Sequence, residues 1–204
     1  MSIILIRHGE TALNAARVLQ PAATPLNEKG IEQAQAMAGR LGNTGIEAIL
    51  SSDMPRAFMT AQALSKTTGL PIATSTLLHE RSFGDLRGLT YDDLDFDPNA
   101  QDYEPPNGES WPVFLARVAR AFEEIVRTRA TMQGTLAVVT HGLVIRAILE
   151  SHVQLPAGSA APERMGNTSV SIFGSSAPHP VSLMNCSAHL EGRISDDARA
   201  LAGF

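Results

Sequence analysis

A single cysteine, Cys186, stands among 204 residues. Without a second thiol there can be no internal disulfide and no thiolate metal cluster. Long apolar runs are missing too: no stretch approaches the ~20 residues that a membrane-spanning helix needs. The N-terminus lacks the basic start and extended apolar segment of a signal peptide. A soluble, cytoplasmic protein with no membrane partner is therefore expected. Cations are also scarce, with 16 Lys and Arg against 21 Asp and Glu, a net charge of -5 at pH 7. A broad grip on nucleic acid or anionic lipid requires clustered Lys and Arg, so no nucleic-acid partner is expected. Any anion must be bound locally, by a few well-placed groups.

What the chain does have is 44% hydrophobic residues, enough at this length for one well-filled core, and one domain over 1–204 is expected. Strand-like and helix-like segments alternate. Ile3 to Ile6 is an apolar strand. Glu28 to Leu41 repeats apolar or small residues at Ile31, Ala34, Met37, Ala38 and Leu41, one helical face, and Gly42 supplies a stop. Ile46 to Leu50 predicts a second strand, and Pro55 opens a helix through about Lys66, in the first-turn position proline favours. Pro71 to Ser75 reads as a short third strand. Helix periodicity returns from Phe114 to Met132, followed by a strand at 135–140, a helix from Leu143 to about His152, and closing strands at Val170 to Phe173 and Val181 to Met184. This order predicts a three-layer α/β/α sandwich around a mostly parallel central sheet. Between Glu80 and Pro112 the chain is rich in Asp, Gly and Pro, and reads as a functional loop or lid. The closing strands offer an edge where a second copy could pair as a homodimer.

Two of these strands end alike. Ile3-Ile4-Leu5-Ile6 runs into Arg7-His8-Gly9-Glu10, and Thr135 to Thr140 runs into His141-Gly142. Ligands of open parallel sheets sit outside the carboxyl ends of strands, where the two histidines could meet over one substrate. Burying an unpaired guanidinium costs several kcal/mol, which an anion beside Arg7 would offset. Arg56, just after Ser51-Ser52-Asp53, should project from the same edge, so that two arginines could grip one phosphate. Asn14 could add an amide donor and His141 a further hydrogen bond. His8 would attack phosphorus while the arginines and His141 neutralise the equatorial oxygens, and no metal or cofactor is then required. The leaving oxygen needs a proton, for which Glu80 is the candidate, with Glu109 and Asp85 as rivals. Glu109 reads more simply as a helix-start carboxylate beside Ser110. The bland alternative for Arg7, Arg56 and His141 is structural pairing with Asp53 or Glu10. His79, His152, His179 and His189 show no paired spacing.

These residues, in this order, resemble the histidine phosphatase superfamily, the phosphoglycerate mutase-like family, along nearly the whole chain. The matching segments are Arg7-His8-Gly9-Glu10-Thr11 with Asn14, Pro25-Leu26-Asn27-Glu28-Lys29-Gly30, Ser51-Ser52-Asp53 with Arg56, and Glu80 with Phe83-Gly84. His141-Gly142 and Asn167-Thr168-Ser169 complete the set. The resemblance implies that His8 is the phosphorylated nucleophile, that Arg7, Arg56 and His141 hold the phosphoryl group with Asn14 touching it, and that Glu80 is the proton donor. Gln20-Pro21-Ala22-Ala23-Thr24 departs from the family pattern, which often has a glycine there. The family's glycolytic mutases carry paired arginines in the insertion after the acid, whereas Tyr91 to Asn107 has no Arg or Lys. That absence, the modest length and the lack of a long tail after Phe204 favour a phosphatase of small phosphorylated metabolites over a mutase.

Gly142 and Arg81 are further expected to line the substrate site, Arg81 or Arg87 by holding a substrate anion. Other readings of the same residues are a metal site built from His8, His141, Asp53 and Glu80, and a phospholigand-binding protein without turnover. The acidic insert (Asp92, Asp93, Asp95, Asp97, Asp102, Glu104, Glu109) would repel highly anionic substrates if it faces the site, which favours monophosphates over polyphosphates.

Overall fold

Four consecutive residues, Ile3 to Ile6, are buried because the first strand, β1 (Ser2–Arg7), runs through the middle of a sheet covered on both faces. The computed structural model describes residues 2–190, so the end of the expected 1–204 domain, Phe204 included, lies outside the described residues. After β1 come a single helical turn, α1 (Ala12–Ala15), and the helix α2 (Glu28–Leu41), then β2 (Ile46–Ser51), α3 (Pro55–Thr68) and β3 (Ile72–Thr74). The second half comprises α4 (Trp111–Ala130), β4 (Thr135–Thr140), α5 (Gly142–Ser151), β5 (Val170–Gly174) and β6 (Val181–Cys186). The strand order is β3-β2-β4-β1-β5-β6, with β1 to β4 mutually parallel and β5 antiparallel to both its neighbours. The fold is thus a mixed, mostly parallel α/β sandwich.

Alternation along the central strands assigns the layers. Ile3, Leu5, Leu136 and Val138 pack with Phe114, Val118 and Ile125 of α4 and with Ile145 and Ile148 of α5. Their neighbours Ile4, Ile6, Ala137 and Val139 face the other way, onto Met37 and Leu41 of α2 and Ala57, Ala61 and Leu64 of α3.

Several boundaries differ from the sequence reading, each for a local reason. α3 continues to Thr68 and stops at Gly69, whose φ of 74° is the left-handed conformation glycine accepts. α4 starts at Trp111 rather than Phe114, because Ser110 Oγ accepts from Val113 N and Pro112 fits the first turn. α1 is too short to leave a periodic signal. A capping box defines it instead, Asn14 N donating to Thr11 Oγ1 at 2.9 Å and Thr11 N to Asn14 Oδ1 at 3.3 Å.

Between Glu80 and Ser110 the chain forms short 3-10 turns, at Gly84–Leu86 and Tyr91–Asp93, and an isolated antiparallel bridge from Thr90 to Val18. Arg81 holds this insert together. The residue is 2% exposed, and its guanidinium donates to the carbonyls of Glu109 (3.0 Å), Pro98 (3.1 Å) and Tyr103 (2.9 Å) and lies 4.5 Å from the Trp111 ring centroid. Arg81, expected to hold a substrate anion, directs three of its five N–H donors at the insert's own backbone. Those carbonyls are ones that a short, acidic, Pro-rich segment cannot satisfy within a regular element.

The loop after β1 lies directly on the first turn of α2. A Cβ on Gly9 would stand 2.4 Å from the Gly30 carbonyl oxygen, and one on Gly30 would stand 2.0 Å from that of Glu10. Gly30→Ala should therefore cost at least ~1–3 kcal/mol, seen as a lower urea midpoint with an unchanged slope. On the same helix Gly39 is exposed with nothing within 4 Å of its would-be Cβ, and Gly39→Ala should instead gain about 0.5–1 kcal/mol. Arg81→Lys keeps the charge but loses the fork, and should lower stability by ~1–3 kcal/mol and expose the insert to limited proteolysis. An insert as resistant as the wild type's would remove Arg81 from that role.

Candidate active site

Parallel pairing of β1 with β4 sets Arg7 level with Thr140, so the residues that follow, His8 and His141, leave the sheet side by side. The His8 backbone N–H donates to the Thr140 carbonyl at 3.0 Å. On the other flank, the His8 carbonyl accepts from Thr168 N at 3.2 Å and Asn167 Nδ2 at 3.1 Å. The two imidazoles lie with ring centroids 5.2 Å apart.

His8 Nδ1 is 2.7 Å from the carbonyl oxygen of Gly9. A carbonyl only accepts, so Nδ1 carries the proton and Nε2 is left with the lone pair. Burial, then the charges of Arg7 and Arg56, push the His8 pKa well below its ordinary 6.5, so the ring is neutral. His141 is neutral for the same first reason, burial, reinforced by Arg56 and His8. Its Nε2 is 2.9 Å from Ser52 Oγ, while its buried Nδ1 has no hydrogen-bond partner among the described residues.

Arg56, 3% exposed, comes from the first turn of α3. It reaches the Pro21 and Ala22 carbonyls, both at 3.3 Å, and its Nε is buried without a partner among the described residues. Burial lowers its pKa to about 10, which leaves it a cation at neutral pH. Arg7 Nη1 donates to the Met165 carbonyl, and the Arg7 charge acts on His8, His141, Arg56 and Glu80 alike.

Glu80 enters from the start of the insert. Its Oε2 accepts from Leu143 N at 3.2 Å and its Oε1 from Arg81 N at 3.1 Å. Burial raises its pKa above the ordinary 4.5 and outweighs those two amides, Arg56 and Arg7, all of which pull it down. Its rivals are placed otherwise. Burial pushes Glu109 up, yet the Arg117 guanidinium, with Nε and Nη2 each 2.7 Å from the carboxylate, and Ser82 N hold it below the ordinary range. Glu109 therefore clamps α4 to the insert and does not cap its own helix. Asp85 is exposed and accepts from Asn107 Nδ2.

These groups open onto a cavity of about 800 Å³ whose wall includes Arg7, His8, Asn14, Arg56, Glu80 and Gly142. His141, fully buried, is beside His8 and not on that wall. Asn14 Oδ1 accepts from Thr11 N and, at 3.4 Å, from Asn167 Nδ2, which orients its amide. Gly142 begins α5, and a Cβ there would lie 3.6 Å from Arg7 Nε and 3.9 Å from Glu80 Oε2. Arg81 borders the cavity while three of its five N–H donors serve the insert.

Among the described residues neither Arg56 nor His141 forms a salt bridge with Asp53 or Glu10. Glu10 receives Lys29 Nζ at 3.2 Å and Asn27 Nδ2 at 2.9 Å, and Asp53 pairs with His79. No group of three or more His, Cys, Asp or Glu placed to hold a metal ion occurs among the described residues.

Sequence reasoning assigned no role to several residues. Ser52 supports His141, and Thr60 Oγ1 accepts from Gly9 N at 3.0 Å while donating to the Arg56 carbonyl. Hydroxyls of this kind leave no periodic trace. Arg146 lines the cavity four residues after Gly142, a spacing that shares one helix face and could have revealed it. Arg17 and Arg164, also on the wall, lie in irregular segments, and Tyr91 in a single 3-10 turn, where no spacing points to them.

Residues 3–185 match the model of the histidine phosphatase superfamily (branch 1). Phosphoglycerate mutase-like protein 4 of Arabidopsis thaliana is 35% identical over 184 residues, 84% of this chain and 78% of that protein. Among solved structures, mycobacterial glucosyl-3-phosphoglycerate phosphatase superposes with a TM-score of 0.76 at 30% identity, covering 91% of this chain and 98% of that one. The alpha-ribazole phosphatase of Shigella flexneri superposes at 0.79 with 27% identity, covering 92% and 97%. With the family model spanning nearly the whole chain and both histidine junctions inside the match, the chain belongs to the histidine phosphatase superfamily.

Proposed function

We propose that the chain is a phosphatase that hydrolyses small phosphomonoesters through a phosphohistidine on His8, with Glu80 as proton donor. The observation that carries this reading is the Nδ1 hydrogen bond to Gly9, which leaves the lone pair of a neutral ring on Nε2. Nε2 attacks phosphorus as the ester P–O bond breaks, and the electron pair leaves on the alcohol oxygen, which takes the Glu80 proton. Arg7 and Arg56 balance the phosphoryl charge, with Asn14 and His141 as neutral donors. Water then attacks the phosphohistidine and gives its proton to the Glu80 carboxylate, returning His8 and releasing phosphate. Arginines supply the positive charge, so the proposed reaction uses no metal.

Hydrolysis is favoured over transfer by the phosphatase neighbours and by the insert, where Tyr91 to Asn107 has no Arg or Lys. The mutase-like name of the Arabidopsis relative supports the second reading, a phosphoglycerate mutase. Incubation with 3-phosphoglycerate and 2,3-bisphosphoglycerate separates the two: inorganic phosphate is expected, and accumulation of the 2-isomer would assign the mutase.

His8→Ala should abolish both p-nitrophenyl phosphate turnover and acid-labile phosphate on the protein, and turnover that persists would end the assignment. Glu80→Gln should slow alkyl phosphates by ~10²–10⁴ and p-nitrophenyl phosphate far less, since nitrophenolate leaves without a proton. The pH dependence follows from the two shifts. His8 is lowered, so its reactive neutral form persists into acid; Glu80 is raised, so its proton persists above the ordinary carboxylate range. The alkaline limb of kcat/KM for alkyl phosphates should therefore flatten in Glu80→Gln. EDTA should leave the rates unchanged.

A further inference from the structure

A line of hydrogen bonds starts on α2 and ends at the His8 carbonyl. His189, in the 3-10 turn Ala188–Leu190 beyond β6, shows no paired spacing with another histidine, yet both of its ring nitrogens are engaged. Its Nδ1 lies 3.3 Å from Arg40 Nη1, and its Nε2 lies 3.0 Å from Thr168 Oγ1. A guanidinium only donates, so Nδ1 accepts and the ring proton sits on Nε2. Nε2 therefore donates to Thr168 Oγ1, whose own proton goes to the Asn167 carbonyl at 2.7 Å. Burial, then the Arg40 charge, lowers the His189 pKa to about 4, which keeps the ring neutral and Nδ1 able to accept. Arg40 is itself held, with Nη2 donating to Cys186 Sγ at 3.3 Å. One proton assignment satisfies the whole line.

The line ends on a stretch of backbone that needs support. Thr168 is fully buried at a φ of 54°, the left-handed region that a β-branched residue rarely adopts. Such a conformation persists only where the surroundings over-determine it. In it, Thr168 N reaches the His8 carbonyl at 3.2 Å, and Asn167 Nδ2 reaches the same carbonyl at 3.1 Å and Asn14 Oδ1 at 3.4 Å. Among the described residues, His189 is the one side chain hydrogen-bonded to Thr168. Neither His189 nor Thr168 is on the cavity wall, whereas Asn167 and Asn14 are.

We infer that His189 is a positioning residue for the phosphoryl chemistry of His8. Through Thr168 it fixes the Asn167–Thr168 turn, and with that turn the His8 carbonyl and the Asn14 amide, in the geometry that attack on phosphorus needs. This inference rests on the phosphatase reading.

Nitrogen-15 NMR at neutral pH tests the proton assignment: the Nε2–H tautomer of His189 is expected, and an Nδ1–H tautomer or a protonated ring would overturn it. With p-nitrophenyl phosphate, His189→Leu should lower kcat about tenfold or more and leave KM within about twofold, because positioning acts on the transition state. His189→Gln, whose amide can accept from Arg40 and donate to Thr168, should recover most of the rate. A residue that only filled space would be replaced at least as well by leucine. Thr168→Val should lower kcat by a similar factor and add little in the His189→Leu background, since both cut the same line. Wild-type kcat in His189→Leu, or a loss that His189→Gln does not recover, would sink the inference. Where His189→Leu does not fold, Arg40→Met interrupts the line from its other end and should lower kcat at constant KM; an unaltered kcat there counts against His189 just as decisively. If the wild-type protein hydrolyses no phosphomonoester, the phosphatase reading fails by itself. The line is then read from the NMR resonance of the Gly9 amide, which shares a peptide unit with the His8 carbonyl. It should move in His189→Leu and stay in His189→Gln, and an unmoved resonance in His189→Leu removes His189 from this role.

Discussion

Everything at the site depends on the parallel pairing of β1 with β4. Those two strands are buried along almost their whole length, and their register sets Arg7 opposite Thr140. A slip of one residue would turn every apolar side chain of β1 to the opposite layer, so burial on both faces fixes the register. The same register delivers His8 and His141 together at the carboxyl edge. Positioning of the histidines is thus a by-product of core packing. What the loops add is closure: Gly9 against Gly30 leaves no room for a side chain, and Asn167 and Thr168 hold the His8 carbonyl from the β5 side.

Charge is arranged around that pair by a contest between burial and Coulomb attraction. Arg7 and Arg56 beside His8 disfavour a second cation, and burial adds to them, so the imidazole is a base at neutral pH. The same arginines pull Glu80 towards ionisation, yet burial outweighs them and favours the protonated acid. One environment thereby pushes a histidine and a carboxyl group in opposite directions, each towards its uncharged form. Glu109, within the same insert, has a bidentate arginine and goes the other way. A direct guanidinium contact separates this structural carboxylate from Glu80, the proposed proton donor.

Much of this was legible in the sequence, because apolar strands ending in His-Gly carry their own evidence. Four hydrophobic residues followed by Arg7-His8 already imply a buried strand ending at a ligand, and Pro55 before Arg56 already places that arginine at a helix start. Legibility stops where the chain has no period. Arg81 read as a binding cation because sequence shows its charge and not its neighbours, three carbonyls that become neighbours only when the insert folds back. Ser52 and Thr60 escaped for the same reason, each acting through a contact with a residue distant in the chain.

The insert makes the general point sharpest. Its composition is acidic, and composition alone predicts a wall that repels anions. Folding reverses the sign, because Arg81 draws the carbonyls of Pro98, Tyr103 and Glu109 inwards around one buried cation and the segment wraps about that point. Charged side chains on so tight a wrap escape desolvation by pointing outwards, and Asp92, Asp93 and Asp95 are all exposed. The cavity wall then carries Arg81, Arg87 and Asp97 from the insert together with arginines from other elements, Arg17 after α1, Arg146 on α5 and Arg164 before β5. The field inside the cavity is decided by which side of the insert's backbone its charges occupy, and Arg81, with three of its five N–H donors on the insert's own carbonyls, helps to choose that side.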